Sequence, residues 1–271
     1  MQIIDIKNHE SSYLPDGKWE LVWADEFDGT ELDRTKWDYR YSMMGTRWPS
    51  WTDKGVKLDG KSNAVFTLME ENGRPVCSHL QTGYNFMDEP VVKRKGGQPL
   101  QWNIGKLKEH KFTHKYGYYE CRCRLQQKPG WWSAFWIQSP VIGSSLDPAD
   151  SGAEIDVMES FKPGIVVAHN VFTGGYGRDM KRIQVGGMDL DEKEFHRFGV
   201  LWDEKGYTFY IDGEEDGHVP CFVSQRPEFI LISTEVKGYR QEGCEPVKEA
   251  FESLGDTFLV DYVRVFDKVD Y

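Results

Sequence analysis

Short stretches in which apolar and polar residues alternate follow one another through most of this chain, and a sustained helical period is nearly absent. Ten such runs are legible: Trp19–Trp23, Ala64–Met69, Tyr116–Leu125, Trp132–Gln138, Ala153–Ser160, Val166–Phe172, Phe195–Trp202, Tyr207–Ile211, Glu228–Glu235 and Thr257–Phe266. A period of two puts alternate side chains on opposite faces of a strand, and the Gly, Pro, Asn and Asp between the runs are turn formers. Asp203-Glu-Lys-Gly206 and Asp212-Gly213 read as hairpin turns. Many short strands with regular turns predict an all-β chain, folded as a jelly-roll sandwich of two antiparallel sheets. One short helix is expected over 245–254, where Val247, Ala250, Phe251 and Leu254 recur at helical spacing.

At 271 residues, with no linker, repeat or low-complexity stretch, the chain reads as a single domain over 1–271, with 1–17 as an N-terminal extension. Segments 42–62 and 86–103 show little strand pattern and read as long loops, the usual place for binding groups on a rigid scaffold. A net charge of −11 argues against a nucleic-acid partner. No apolar run reaches the ~18–20 residues of a membrane-spanning helix. The opening residues lack a basic stretch followed by an apolar one, so a cytoplasmic protein is expected, or a secreted one whose leader has been removed. The five cysteines include a C-x-C pair, Cys121 and Cys123, that fits neither a zinc nor a redox spacing; free thiols and no metal are expected there. Ten Trp, 13 Tyr and 15 Phe suit either a large sandwich core or an aromatic-lined groove.

The segment that points to chemistry is Gly152-Ala-Glu-Ile-Asp-Val-Met-Glu-Ser160. On a regular strand Glu154 and Asp156 share a face and Glu159 does not. One extra residue bulging out at Val157–Met158 restores the parity and puts three carboxylates in a row. Like charges so close are costly, so such a row is either a solvated edge or a site. The neighbouring run Trp132–Trp136 sets two indoles on one face with Ala134 between them, and the next run supplies His169. Grouped acids beside aromatics suit a sugar cleft. Retaining glycoside hydrolysis uses one carboxylate as nucleophile and a second carboxyl as acid and then base, ~5–5.5 Å apart. A third acid between them shares a proton and keeps their ionisation distinct.

Glu154-x-Asp156-x-x-Glu159 resembles the active-site signature of glycoside hydrolase family 16 in its β-bulged form. The likeness runs along the chain. Trp19–Gly29 resembles the family's opening strand, Lys115–Leu125 its YGxxExRxRL strand, and Trp132–Ile137 its WPAFWL strand. Phe195–Gly213 resembles its FHxYxxxW…FYVDG hairpin, and Val260–Val265 its closing strand. The resemblance implies a jelly roll with a concave cleft, and retaining cleavage of β-linked glycans without a required cofactor. Glu154 would be the nucleophile, Glu159 the general acid/base and Asp156 the assisting carboxyl. Trp132 and Trp136 would flank the cleaved sugar, with His169 beside the acid/base. It also implies a possible structural Ca²⁺ near Glu26 and Asp261.

Substrate signals diverge. The NELQYY segment of glucan-cleaving members is absent, and Tyr41–Trp51 stands in its place. Arg47, Trp48 and Trp51 are expected to bind substrate there. Lys93-Arg94-Lys95 would suit a sulfated chain. Glu235 is an additional acid on a cleft-side run, expected at the rim and paired with Arg240 or Lys237. The expectation is an endo-β-1,3- or β-1,3/1,4-glucanase, monomeric, acting on an oligo- or polysaccharide. The same chemistry on β-galactans of agar, porphyran or carrageenan type is the alternative. The loops 42–62 and 86–103 are candidates for closing one end of the cleft. From another class, a carbohydrate-binding sandwich would keep the tryptophans but has no use for three adjacent acids.

Overall fold

A computed structural model describes residues 1–88, 108–166, 168–191 and 193–269. All ten expected runs form strands, with ends shifted by a few residues, and every ladder between them is antiparallel. They assemble into two large sheets. One has seven strands in the order Lys181–Val185, His169–Thr173, Glu154–Ser160, Trp131–Gln138, Phe229–Val236, His79–Gln81 and Asp38–Tyr39. The other runs Glu214–Val219, Gly206–Ile211, His196–Asp203, Gly117–Arg124, Thr257–Lys268, Ala64–Thr67 and Val56–Leu58, with Trp19–Asp25 also paired to Thr257–Lys268.

Alternation sorts the side chains into layers. Phe135, Ile137, Ile155, Val171, Ile230 and Ile232 of the first sheet meet Tyr119, Cys121, Phe198, Val200, Phe209 and Val263 of the second in one continuous core. Burial of each such side chain contributes about 1.5–3 kcal/mol. All five cysteines are free, and Cys121 and Cys123 both face this core. The turn at Asp212-Gly213 has positive φ at both residues, 47° and 89°, as a tight hairpin turn requires.

Differences from expectation lie where packing overrides local pattern. The helix over 245–254 contracts to Lys248–Glu252; Ala250 is buried while Phe251 is 41% exposed, so only part of the apolar stripe finds a partner. A four-residue helix at Pro148–Ser151, capped by Asp147, was not signalled by any period. The extension 1–17 is a small hairpin of Gln2–Ile4 and Ser12–Leu14, docked outside the second sheet through Leu14, Tyr118 and Phe266. Segment 42–62 contains three short strands, Ser42–Met43, Thr46–Arg47 and Val56–Leu58. Most of 86–103, including Lys93-Arg94-Lys95, lies outside the described residues.

Candidate active site

The outer face of the seven-stranded sheet carries a cleft of about 310 Å³. Its floor is set by one irregularity. Along the ladder between Trp131–Gln138 and Glu154–Ser160, Phe135 pairs with Met158 but Trp136 pairs with Asp156, leaving Val157 as an extra residue. Val157 and Met158 both turn into the core, fully buried. Glu159 therefore returns to the face of Glu154 and Asp156, and all three line the cleft. Two consecutive apolar side chains fill the interior, which anchors the bulge that the acids need.

Cross-strand pairing completes the floor: Ala134 lies opposite Glu159, Trp136 opposite Asp156 and Gln138 opposite Glu154. On the other side Trp132 faces Glu235 and Ala134 faces Ser233. Glu154 Oε2 accepts hydrogen bonds from the Tyr176 hydroxyl and from Gln138 Nε2, the latter at 3.2 Å. Asn170 Nδ2 donates to Glu159 Oε2 at 2.8 Å, and Arg182 Nε holds Asn170 Oδ1 at 2.9 Å.

Burial governs the charges. It pushes Glu154 up to about 7, against the donors on Tyr176 and Gln138 and the positive field of Arg40; the charge of Glu159 adds to the rise. Asp156 is held well above the usual carboxylate range by burial and by both glutamates. Glu159 is also raised by burial, while hydrogen bonds from Asp156 and Asn170 and the charges of Arg182 and Arg240 pull the other way. The acids titrate as a set, in which a proton on Asp156 donates to Glu159. Arg40, Arg182 and Arg240 come from outside the acidic strand, so the compensation for its charge is not visible within that segment.

The family model for glycosyl hydrolases family 16 matches residues 48–220. The chain belongs to this family. Among family relatives, it is 26% identical over 270 residues to glucan endo-1,3-beta-glucosidase A1 of Niallia circulans, covering 91% of this chain and 37% of that protein. It is 28% identical over 276 residues to a beta-glucanase of Rhodothermus marinus, covering 93% of this chain and 86% of that one. The first of these relatives is thus much longer than the present chain. The solved laminarinase from Rhodothermus marinus superposes with a TM-score of 0.65 at 23% identity, over 93% of this chain and 99% of that one, a likeness of fold.

In this family 16 chain the residues expected at the site divide into two groups. Glu154, Asp156, Glu159, Trp132, Trp136, Trp48 and Glu235 line the cleft. Glu235 pairs with Arg240 at 3.0 Å; Lys237 bonds the carbonyl of Phe161 instead. Burial lifts Glu235 to about 7 despite Arg240. Three expectations are corrected. His169 is fully buried on the core face, bonded to the Val157 carbonyl at 2.7 Å and to Asp216 at 3.1 Å and stacked on Phe209; strand parity gives the cleft position to Asn170. Trp51 is 1% exposed, donating from Nε1 to the Thr234 carbonyl and stacked beneath Trp48 at 4.3 Å, so it supports the cleft without lining it. Arg47 spends its guanidinium on the carbonyls of Tyr41, Trp48 and Trp51 and holds the loop in shape.

The residues expected near a structural Ca²⁺ do not fit one. Arg264 grips Glu26 with two bonds, at 2.8 and 2.7 Å, and Arg122 holds Asp261 at 2.6 Å. Ca²⁺ needs six or more oxygens, and guanidiniums on both acids oppose a dication. Among the described residues no group of three His, Cys, Asp or Glu side chains is placed to hold a metal. No described helix is long and apolar enough to cross a membrane.

Gln138, Asn170, Tyr176 and Arg182 are site residues that the sequence reading missed. Gln138 continues the alternation of Trp132, Ala134 and Trp136, and Asn170 is one step from His169, so parity could have found both. Tyr176 sits in the glycine-rich turn Gly174-Gly-Tyr-Gly177, where no period operates.

Proposed function

We propose that the chain is a retaining glycoside hydrolase that cuts internal β-1,3 or β-1,3/1,4 bonds of glucans by double displacement. The observation that carries this reading is the bulge at Val157, which puts Glu159 on the same face as Glu154 with Asp156 between them. The carboxylate of Glu154 attacks the anomeric carbon while the bond to the leaving oxygen breaks. Glu159 gives that oxygen its proton. Water then attacks the glycosyl ester, Glu159 takes a proton from it, and Glu154 leaves as carboxylate. Tyr176 and Gln138 donate to Glu154 and favour the ionised form that attack requires, in a site whose burial opposes it. Asp156, protonated, bonds to Glu159 and helps hold the shared proton near the leaving group.

The choice of glucan rests on the two glucanase relatives and on the fate of the cationic groups. Arg47 is consumed by its own loop and Arg240 is already paired with Glu235, so neither is free to clamp a sulfate. The deciding experiment is release of reducing ends from laminarin, mixed-linkage β-glucan, agarose and κ-carrageenan. The reading expects activity on the first two, lost in Glu154→Gln. Activity confined to the galactans would reassign the substrate. Binding to any of the four without turnover would favour a carbohydrate-binding protein.

A further inference from the structure

The bulge that brings Glu159 into the cleft is held from behind, on the core side of the sheet. The ladder from Glu154–Ser160 to His169–Thr173 ends at the pair Asp156–Asn170. Just beyond that point a side chain takes over. His169 Nδ1 lies 2.7 Å from the carbonyl of Val157, the extra residue. A carbonyl only accepts, so Nδ1 carries the proton there.

The other end of the ring reaches the second sheet, where His169 Nε2 lies 3.1 Å from Asp216 Oδ2. Asp216 is itself an extra residue. Along the ladder between Gly206–Ile211 and Glu214–Val219, Phe209 pairs with Gly217 but Tyr210 pairs with Glu215. One buried imidazole therefore links a bulge in each sheet. Asp216 Oδ2 also accepts the Gly187 N–H at 2.6 Å, and a Cβ on Gly186 would lie 2.3 Å from the same oxygen, so that glycine leaves the carboxyl its seat. Phe209 stacks on the imidazole at 4.6 Å and 5°. Both nitrogens and one face of the ring are thus held, whichever partner carries the proton between Nε2 and Asp216.

What the ring holds bears on the acid/base. Val157 stands two residues before Glu159, and Asn170, the residue after His169, donates to Glu159 Oε2 at 2.8 Å on the cleft side. His169 fixes the backbone beneath Glu159 and belongs to the strand that carries its hydrogen-bond donor. Without an N–H at this point the Val157 carbonyl would be buried and unpaired, which favours a shift of the bulge.

We propose that His169, anchored by Asp216, is a positioning residue for Glu159, acting through the Val157 carbonyl. It touches neither substrate nor reacting atoms. The proposal rests on the hydrolase reading above and gives the buried histidine a part in acid catalysis. A displaced Glu159 fails only at the steps that move a proton. An ordinary glucosidic oxygen needs one to leave. A 2,4-dinitrophenyl group departs as its anion when Glu154 attacks, and azide displaces Glu154 from the glycosyl ester with no proton to remove, so neither of these steps needs Glu159.

The test compares the full wild-type chain with His169→Phe, which keeps a ring against Phe209 but donates nothing, and with His169→Asn, which restores an N–H near the Nδ1 position and loses the ring. On a β-1,3-gluco-oligosaccharide, kcat of His169→Phe should fall about tenfold or more, part of the ~10²–10⁴-fold that a general acid supplies, with KM little changed. The burst of dinitrophenolate from 2,4-dinitrophenyl β-laminaribioside should keep nearly its wild-type rate. Azide should then raise the steady rate and yield the β-glycosyl azide. His169→Asn should recover much of the lost kcat, although it packs less well. The reverse order, with His169→Phe active and His169→Asn impaired, would overturn the proposal, as would equal losses on both substrates without an azide effect. Should His169→Phe not fold, Asp216→Ala carries the same comparison from a less buried position. A smaller loss with the same azide response is expected of it, and unchanged turnover of the oligosaccharide would overturn the proposal. Failure of the hydrolase reading is seen separately, as wild-type protein that releases neither reducing ends from any glycan nor dinitrophenolate.

Discussion

At the scale of single residues the account turns on protons. Glu154 is pushed up to about 7 by burial and pulled down by the Tyr176 hydroxyl. A hydrogen bond to a charged group contributes about 1.5–3 kcal/mol, which corresponds to roughly one to two pH units. Tyr176→Phe should therefore move the acidic limb of the kcat/KM profile upward by about that amount and lower activity at neutral pH, read from a pH–rate series on a soluble glucan. Glu228 is a second buried acid, outside the reaction, raised by burial to about 8 while Oε1 accepts the Ala153 N–H at 2.8 Å. Folded protein keeps this proton where the unfolded chain has lost it. The stability it contributes is full below the unfolded value of 4.5 and is lost as pH rises through about 8. Thermal melts of Glu228→Gln between pH 5 and 9 should show a flatter decline of Tm with pH than the parent. Much of the site was legible at this scale, because Glu154, Asp156, Trp132 and Trp136 obey simple alternation. His169 and Trp51 were misread for a physical reason. Parity turns the imidazole inward, and an aromatic run in a loop does not say which indole is the platform and which is its support.

At the scale of elements, the bulge is the feature on which position depends. A regular ladder through Val157 would turn Glu159 toward Ile155 and Ile137 in the core. Deleting Val157 alone leaves Glu154-Ile155-Asp156-Met158-Glu159, a plain alternation that keeps the three acids on the cleft face, so turnover should persist; deleting Val157 and Met158 together places Glu159 directly after Asp156, facing the core, and should abolish it. The double deletion should also destabilise the chain by about 3 kcal/mol or more, the usual scale for an acid left unpaired in an apolar interior; urea unfolding and a reducing-end assay check the two effects. The bulge was readable only because three acids at this spacing make sense on one face; the pattern by itself allows a straight strand. Elements with weak alternation, such as His79–Gln81 and Lys181–Val185, were not legible, since their places are set by the strands they pair with.

For the whole molecule, the cleft is only as firm as the sandwich beneath it. Asp256, just before Thr257–Lys268, accepts from the backbone N–H groups of Gln127 and Lys128 at 3.1 and 2.7 Å and from Trp131 Nε1 at 2.9 Å. This carboxylate ties the second sheet to the start of the strand that carries Trp132 and Trp136. Asp256→Ala should lower stability by ~2–4 kcal/mol through stranded donors, measured by denaturant unfolding, with a much smaller effect on kcat of the folded fraction. The sandwich itself was plain from the succession of period-two runs. The contact of Arg240 with the Trp48 ring was not, because it joins a loop before the acidic strand to a turn far beyond it. The central claim is that Glu154 and Glu159 work from one face as nucleophile and acid/base. Proton NMR of the first products released from a β-1,3-gluco-oligosaccharide tests it most directly. The account predicts that the β-anomer appears first and the α-anomer only later by mutarotation; an α-anomer released first would contradict it.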